Sequence, residues 1–346
     1  MGFQGELLEE RKRVKLDLLD RKILYLLSIN ARFSEISMAR ALKTSREVVH
    51  YRMKRMQDDG FLHGHLTLLN SRKLGMMDHD IFLQLQDKQS QGKLEQALIR
   101  HPLVCNVQRT HGSHDIRFRV TTQSLTEFDT FLEAFMDAQY TKIKEHTIAI
   151  PIEDHYLGLA FLLEGEQPPR IRERKGSAFQ EELERQDDDE MIPVLKEQDR
   201  RLLASIVTDA RKPITTLAKQ LGLSVATTRQ RFRSLVQDGV ICAFIPFASF
   251  SFIGYQWYSV YLRTRNIDKS AFLSYLREHP NIPWCIRYIG KWNYRINVYA
   301  KSNTELDTVL EDMRKQFGKA IISMETTITL NQPKYVQRVG VSEERS

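Results

Sequence analysis

The chain is poor in the residues from which covalently stapled or metal-built scaffolds are made. Its three cysteines, Cys105, Cys242 and Cys285, stand far apart with no Cys-x-x-Cys pair, which excludes a disulfide framework and argues against a structural zinc site. No apolar run approaches the roughly 20 residues needed to cross a bilayer. Met1 to Lys15 is charged where a secretion signal would be apolar, so no membrane is expected and the chain is read as cytoplasmic. Gly-rich phosphate loops, cofactor motifs and nucleophile-and-base constellations are all missing, so no cofactor is expected. His111 and His114 are three apart, but no third ligand stands nearby and a strand would separate their side chains, so no metal is expected either. Neither sign of charge dominates. Lys and Arg number 51 against 44 Asp and Glu, a net +7, which permits nucleic-acid binding without demanding it.

What is present is a repeat. Asp20 matches Asp199, a shift of 199 − 20 = 179, and the same shift aligns Arg21 with Arg200, Ala31-Arg32 with Ala210-Arg211, and Ala39 with Ala218. It also aligns Ser45 with Ser224, Arg52 with Arg231, and Asp59-Gly60 with Asp238-Gly239. A gap-free register over some forty positions marks a tandem duplication.

Each copy opens with three helices. Residues 45–60 read as one capped helix, with Ser45 in front and Gly60 behind. Val49, Met53 and Met56 make its inward stripe, while Arg46, Glu47, His50, Tyr51, Lys54 and Arg55 lie on the rest. Leu16 to Ile29 and Ser34 to Leu42 form the helices before it, and Phe61 to Leu69 a ribbon or wing. A helix, a tight turn and a donor-rich second helix are the pattern that enters the DNA major groove. In the second copy the helices are Leu195 to Thr208, Ile214 to Leu221 and Ser224 to Gln237, with Val240 to Phe247 as ribbon.

Beyond Gly75 the periodicity changes. Asp80 to Gln86, Lys93 to Arg100, Val104 to Thr110, Ile116 to Val120, Leu125 to Ala138 and Lys144 to Ile150 give the order β-α-β-β-α-β. Pro151 to Glu164 reads as a further strand or short helix. The same order recurs from Tyr255 to Leu330, now at a shift of 178, since Gly290 answers Gly112. The fold class is α+β, two repeats, each a winged helix-turn-helix followed by a ferredoxin-like βαββαβ sheet module. Boundaries fall at a charged tail (1–15), winged helix 1 (16–75), sheet module 1 (76–163), charged linker (164–193), winged helix 2 (194–254), sheet module 2 (255–333) and a C-terminal tail (334–346).

This order resembles the Lrp/AsnC family of feast-or-famine transcription regulators. The residues that carry the likeness are Leu16 to Leu24, Ala31-Arg32, Ser45, Arg52, Asp59-Gly60, Leu74-Gly75 and the Gly112-Ser113-His114-Asp115 turn. In the second copy they are Asp199 to Leu203, Ala210-Arg211, Leu221 to Ser224, Arg231, Asp238-Gly239, Ile253-Gly254 and Gly290-Lys291-Trp292-Asn293. The resemblance implies a regulator whose sheet modules, of the RAM type, self-associate. Here that pairing forms within the chain or as a homo-oligomer. It also implies a small effector, often an amino acid, near the sheets. The second turn departs from the pattern, having Asn293 where the first has Asp115.

The resemblance and the helix faces together place double-stranded DNA against Ser45, Arg46, Glu47, His50, Tyr51, Lys54 and Arg55, and against Ser224, Val225, Ala226, Arg229, Gln230 and Arg233. Early positions reach base edges and later cations phosphates. Arg52 and Arg231 lie beside the inward stripe and either join these or pair with Asp20 and Asp199. His63 and His65 alternate along the ribbon toward phosphate or water. For an effector, Arg109, His111, Gly112, Ser113, His114 and Asp115, with Gly290 and Asn293, surround the two turns. The competing role for Gly112 and Asp115 is a positive φ and a turn cap. A rival function exists in the same architecture: siroheme decarboxylase subunits resemble this fold, and Arg109, His111, Arg117, Arg287 and Arg295 would be the cations to grip an anionic tetrapyrrole. A third reading is a scaffold that does not bind DNA.

Overall fold

The computed structural model describes residues 13–171 and 192–340. The charged tail over residues 1–12, the linker run over 172–191 and residues 341–346 lie outside them. In the first half the elements are α1 (Leu18–Ile29), α2 (Glu35–Leu42), α3 (Arg46–Asp58), β1 (Leu62–Leu69), β2 (Met77–Leu85), α4 (Gln91–Arg100), β3 (Val104–His111), β4 (Ile116–Thr122), α5 (Leu125–Gln139) and β5 (Ile143–Tyr156). In the second they are α6 (Glu197–Ile206), α7 (Ile214–Leu221), α8 (Val225–Gln237), β6 (Ile241–Ala248), β7 (Gln256–Thr264), α9 (Lys269–Glu278), β8 (Trp284–Gly290), β9 (Tyr294–Ala300), α10 (Asn303–Phe317) and β10 (Ile321–Tyr335). The duplicated order is therefore the observed one.

The chain folds into two compact units, and each draws on both halves. One gathers the helix-turn-helix segments, among the described residues 14–76, 162–171 and 192–249, with 337–340. Its helices start at caps: Asp17 and Asp20 form a reciprocal capping box on α1, and the Ser45 and Ser224 hydroxyls, at the starts read from sequence, accept from Val48 N and Thr227 N. Val49, Met53 and Met56 are buried, as the 3.6-residue spacing requires.

The wings depart from expectation. Neither forms a ribbon within its own half; β1 and β6 pair antiparallel with each other, from Leu62 opposite Ala248 to Leu69 opposite Ile241. The contact is reciprocal. Ala31 N donates to Phe244 O at 2.8 Å, and Ala210 N to His65 O at 2.9 Å. Arg32 donates to the Ala210 and Lys212 carbonyls, while Arg211 Nη1 donates to Ala31 O and to Phe33 O at 2.9 Å. Arg32 also lies 4.8 Å from the Phe232 ring centroid, so a cation and an aromatic face share the joint. Burial and the neighbouring Arg211 push the Arg32 guanidinium down to about 10, still charged at neutral pH. Ala31, Leu74 and Met76 enter the same apolar core as Leu202, Leu217, Phe232 and Phe244. Residues 337–340, expected as tail, also belong here: Val339 is buried and its carbonyl accepts from Arg200.

The other unit is a closed eight-stranded barrel in the order β10-β3-β4-β2-β5-β8-β9-β7. The expected last strands, Lys144 to Ile150 and Ala320 to Leu330, run on. β5 pairs with β2 through its first half and with β8 through its second, and β10 does the same with β7 and then β3. Pro151 and Pro333 each remove a ladder donor. Both fall at register irregularities, between Pro151 and Glu153 and between Asn331 and Lys334, where the ladder is already interrupted. Outside the barrel, Ile81, Leu83, Phe118 and Val120 pack on Leu94 and Leu98 of α4 and Phe128 and Phe131 of α5. The second module repeats this with Val260, Leu262 and Ile296 against Phe272, Leu276 and Leu310. Of the segment after β5, Ala160–Leu163 is a 3-10 turn.

His65, on β1, is buried beside Arg211, and burial first, then that charge, depresses its pKa to about 3. Its unfolded value is near 6.5, so between the two the unfolded state binds the extra proton and stability is lost as pH falls. Urea unfolding followed by far-UV circular dichroism is expected to show about 3 kcal/mol less stability from this residue at pH 4 than at pH 7. His65→Leu should flatten that slope.

Candidate nucleic-acid interface

The two recognition helices are alike in backbone and unlike in surface. On α3, Glu47, Tyr51 and Lys54 are exposed, but three residues expected beside them are engaged elsewhere. Arg46 Nε lies 3.3 Å and His50 Nδ1 2.9 Å from the Glu35 carboxylate of α2. Burial alone would raise the Glu35 pKa; the His50 and Arg46 contacts outweigh it and hold the carboxyl below its ordinary value. Arg55 points the other way, its Nη2 2.5 Å from Asp20 Oδ2. Asp20 is buried and also takes Arg52 Nη1 at 2.9 Å. Arg52 therefore holds the fold, as Arg231 does with Asp199 at 2.9 Å. The reason Arg55 fails as an outward cation is simple: a fully buried carboxylate needs more than one donor.

On α8 the outer face is freer. Ser224, Val225, Ala226, Arg229 and Gln230 are exposed and Arg233 is half-buried. Position 214, 179 beyond Glu35, is Ile214, so the acid that ties down Arg46 and His50 has no counterpart near Arg229. Among the described residues Arg229 makes no ion pair. The wing histidines take structural places: His63 Nε2 lies 2.7 Å from Ser249 Oγ, and His65 is buried.

The two turns expected to meet an effector are built as joints of the barrel. Gly112 has φ +140° and Gly290 +146°; a Cβ would come 2.9 Å from Thr326 O in the first and 3.0 Å from Ile148 O in the second. Asp115 Oδ2 accepts from Leu85 N at 2.8 Å, and Asn293 Oδ1 from Thr264 N at 2.7 Å. The carboxylate lost in the second copy thus leaves its acceptor role intact. His111 is exposed; Ser113 Oγ lies 3.2 Å from His114 Nδ1. His114 is buried against Phe82, Tyr261 and Trp292, and burial, then Arg117, Arg295 and Lys291, lowers its pKa to about 3. Arg109 is paired twice with Glu95, at 2.7 and 2.5 Å. Among the described residues no cluster of three or more His, Cys, Asp or Glu side chains could hold a metal, and no helix is long and apolar enough to cross a membrane.

Sequence reasoning missed the charged barrel interior. Asp80, fully buried, accepts from Arg117 Nη2 at 2.5 Å, from Arg119 Nε at 2.7 Å and from the Tyr288 hydroxyl. Burial would raise its pKa, but Arg117 and Arg119 hold the carboxyl far below the usual range. The alternation of Asp80 and Phe82 with Ile81 and Leu83 was the available signal.

Residues 16–57 match the AsnC-type helix-turn-helix domain and residues 195–241 a winged helix-turn-helix DNA-binding family. The DNA-binding transcriptional activator DecR of Escherichia coli K12 is 27% identical over 126 residues, 36% of this chain and 83% of that one. An uncharacterized HTH-type transcriptional regulator of Pyrococcus furiosus is 30% identical over 117 residues, 34% of this chain and 79% of its own. The chain belongs to the Lrp/AsnC family. Among solved structures, the siroheme decarboxylase NirDL aligns over 93% of both chains with a TM-score of 0.57 at 13% identity. At that identity the likeness is one of fold, and it extends through both repeats of this Lrp/AsnC chain.

Removing the Asp80 charge should leave Arg117 buried without a counterion. Asp80→Asn is expected to cost about 3 to 5 kcal/mol in urea unfolding followed by tryptophan fluorescence; a loss below 1 kcal/mol would contradict the assignment. All three tryptophans, Trp257, Trp284 and Trp292, lie in the barrel unit, so this signal reports that unit.

Proposed function

We infer that the protein is a sequence-specific DNA-binding transcription regulator of the Lrp/AsnC type whose two reading helices contribute unequally. The observation that carries this reading is the pair of capped helices, α3 and α8, held in one unit by the β1–β6 ladder. Their exposed faces include Tyr51 and Lys54 on one and Arg229 and Gln230 on the other. Arg229 is suited to guanine and Gln230 to adenine in the major groove. Beside α3, Glu35 of α2 engages Arg46 and His50, and Glu47 opposes phosphate, so this helix acts more through Tyr51 and Lys54. Half-sites about 10 base pairs apart, or multiples of that, suit two such helices on one DNA face. Self-association is met, at least in part, by the two sheet modules closing one barrel.

The full-length likeness to a siroheme decarboxylase favours a second reading, an enzyme with fused subunits. Against it weigh three of its five candidate cations, which are engaged, whereas His111 is exposed and Arg295 is buried with Nε and Nη1 unpartnered. Arg109 faces Glu95, Arg117 faces Asp80 and Arg287 faces Glu153. Phe82, Tyr261, Tyr288 and Trp292 fill one part of the barrel interior as a packed cluster. Adding siroheme to purified protein separates the two: a shifted absorption band would favour the enzyme.

For the regulator, fragments selected from genomic DNA would supply the operator. Arg229→Ala is expected to weaken its binding by about 1 to 3 kcal/mol in a mobility-shift assay and to relax preference at one position. Arg46→Ala should cost less than half as much. Equal losses, or no salt-dependent duplex binding at all, would overturn the reading.

A further inference from the structure

The two halves differ sharply where the recognition helix meets the first helix of its own half. In the first half, buried Asp20 receives two guanidinium groups, from Arg52 and Arg55. In the second, Asp199 keeps Arg231, but the residue answering Arg55, at 55 + 179 = 234, is serine. The Ser234 hydroxyl turns to Asp238 Oδ2 at 3.0 Å, and Asp199 Oδ2 keeps the Lys196 backbone N–H, also at 3.0 Å. Among the described residues no side chain takes the place of the Arg55 group. A pocket of about 330 Å³ remains, bordered by Lys196, Asp199, Gln230, Arg231, Ser234 and Asp238.

The first half shows what such a place accepts: a planar guanidinium set against the buried acid. The second half adds a change of charge. Lys196 stands at the position of Asp17 (17 + 179 = 196), so the rim carries a cation where the first half has a carboxylate. Arg231 also has a buried Nε with no hydrogen-bond partner, a donor in want of an acceptor. A cation alone would therefore meet both attraction and repulsion.

We propose that this pocket binds a small zwitterion bearing a guanidinium and a carboxylate. The guanidinium takes the place of the Arg55 group against Asp199 and Asp238, and the carboxylate faces Lys196. A bound ligand would tie α8 to α6 by a second link, as Arg55 ties α3 to α1. Any effect on DNA rests on the reading of α8 given above, whereas binding itself does not, so the two are measured separately.

The test is calorimetry on the full chain without DNA, at matched ionic strength, with guanidinoacetate, methylguanidinium and acetate as probes. Guanidinoacetate should bind saturably, about tenfold tighter than methylguanidinium, and acetate should give no saturable heat. Lys196→Ala should bring the first two probes together. Ser234→Arg, which supplies the group from within, should abolish binding; Ser234→Leu closes the same volume without charge and should do likewise if the arginine variant misfolds. No saturable binding of guanidinoacetate, binding unchanged in both Ser234 variants, or equal binding of acetate would each overturn the proposal. Repeating the mobility shift with guanidinoacetate then reads the coupling: loss of DNA response with intact binding would count against the role of α8, not against the pocket.

Discussion

Two strands that cannot be satisfied alone govern the helix-turn-helix unit. β1 and β6 each leave their own three-helix bundle as a single strand, with backbone donors and acceptors that burial would otherwise orphan. Pairing them with each other satisfies both at once, and the reciprocal Arg32 and Arg211 contacts lock the register from either side. The geometry is that of a two-fold interface in which the same patch meets itself, written here within one polypeptide. The consequence is that α3 and α8 are parts of a single unit, and the distance between them is set by that unit's own ladder.

The barrel follows the same logic with longer strands. Each module's final strand serves its own sheet first and the other module's sheet second, so the two open edges that each module would present are both closed. Closure encloses polar residues that an open sheet would leave wet. Asp80 answers by collecting Arg117, Arg119 and Tyr288, a network in which every member leans on one carboxylate. Such buried groups stabilise only when fully partnered, which explains why the acid sits where three donors converge.

Much of this was legible in the residues. The shifts of 179 and 178 gave the duplication, Ser45 and Ser224 gave the helix starts, and Val49, Met53 and Met56 gave the buried stripe. Strand partners were not legible, because a period of two says which face of β1 is apolar and nothing about which strand lies beside it. The candidate site was legible as a surface but not as a charge distribution. Glu35 lies 11 residues before Arg46 and 15 before His50, and Asp20 lies 35 before Arg55; only folding brings those acids within reach. The turn residues Gly112 and Asp115 looked alike as ligand site or joint until the backbone amide of Leu85 was seen to occupy the carboxylate.

The unit that contains α3 and α8 carries them at one fixed separation. Spin labels at exposed Gln57→Cys on α3 and Gln237→Cys on α8, in a Cys242→Ser background with Cys105 and Cys285 buried, would measure it directly by pulsed dipolar spectroscopy. A single narrow distance distribution, unchanged when duplex DNA is added, is the predicted result. A broad distribution, or one that narrows or shifts only on DNA, would contradict it.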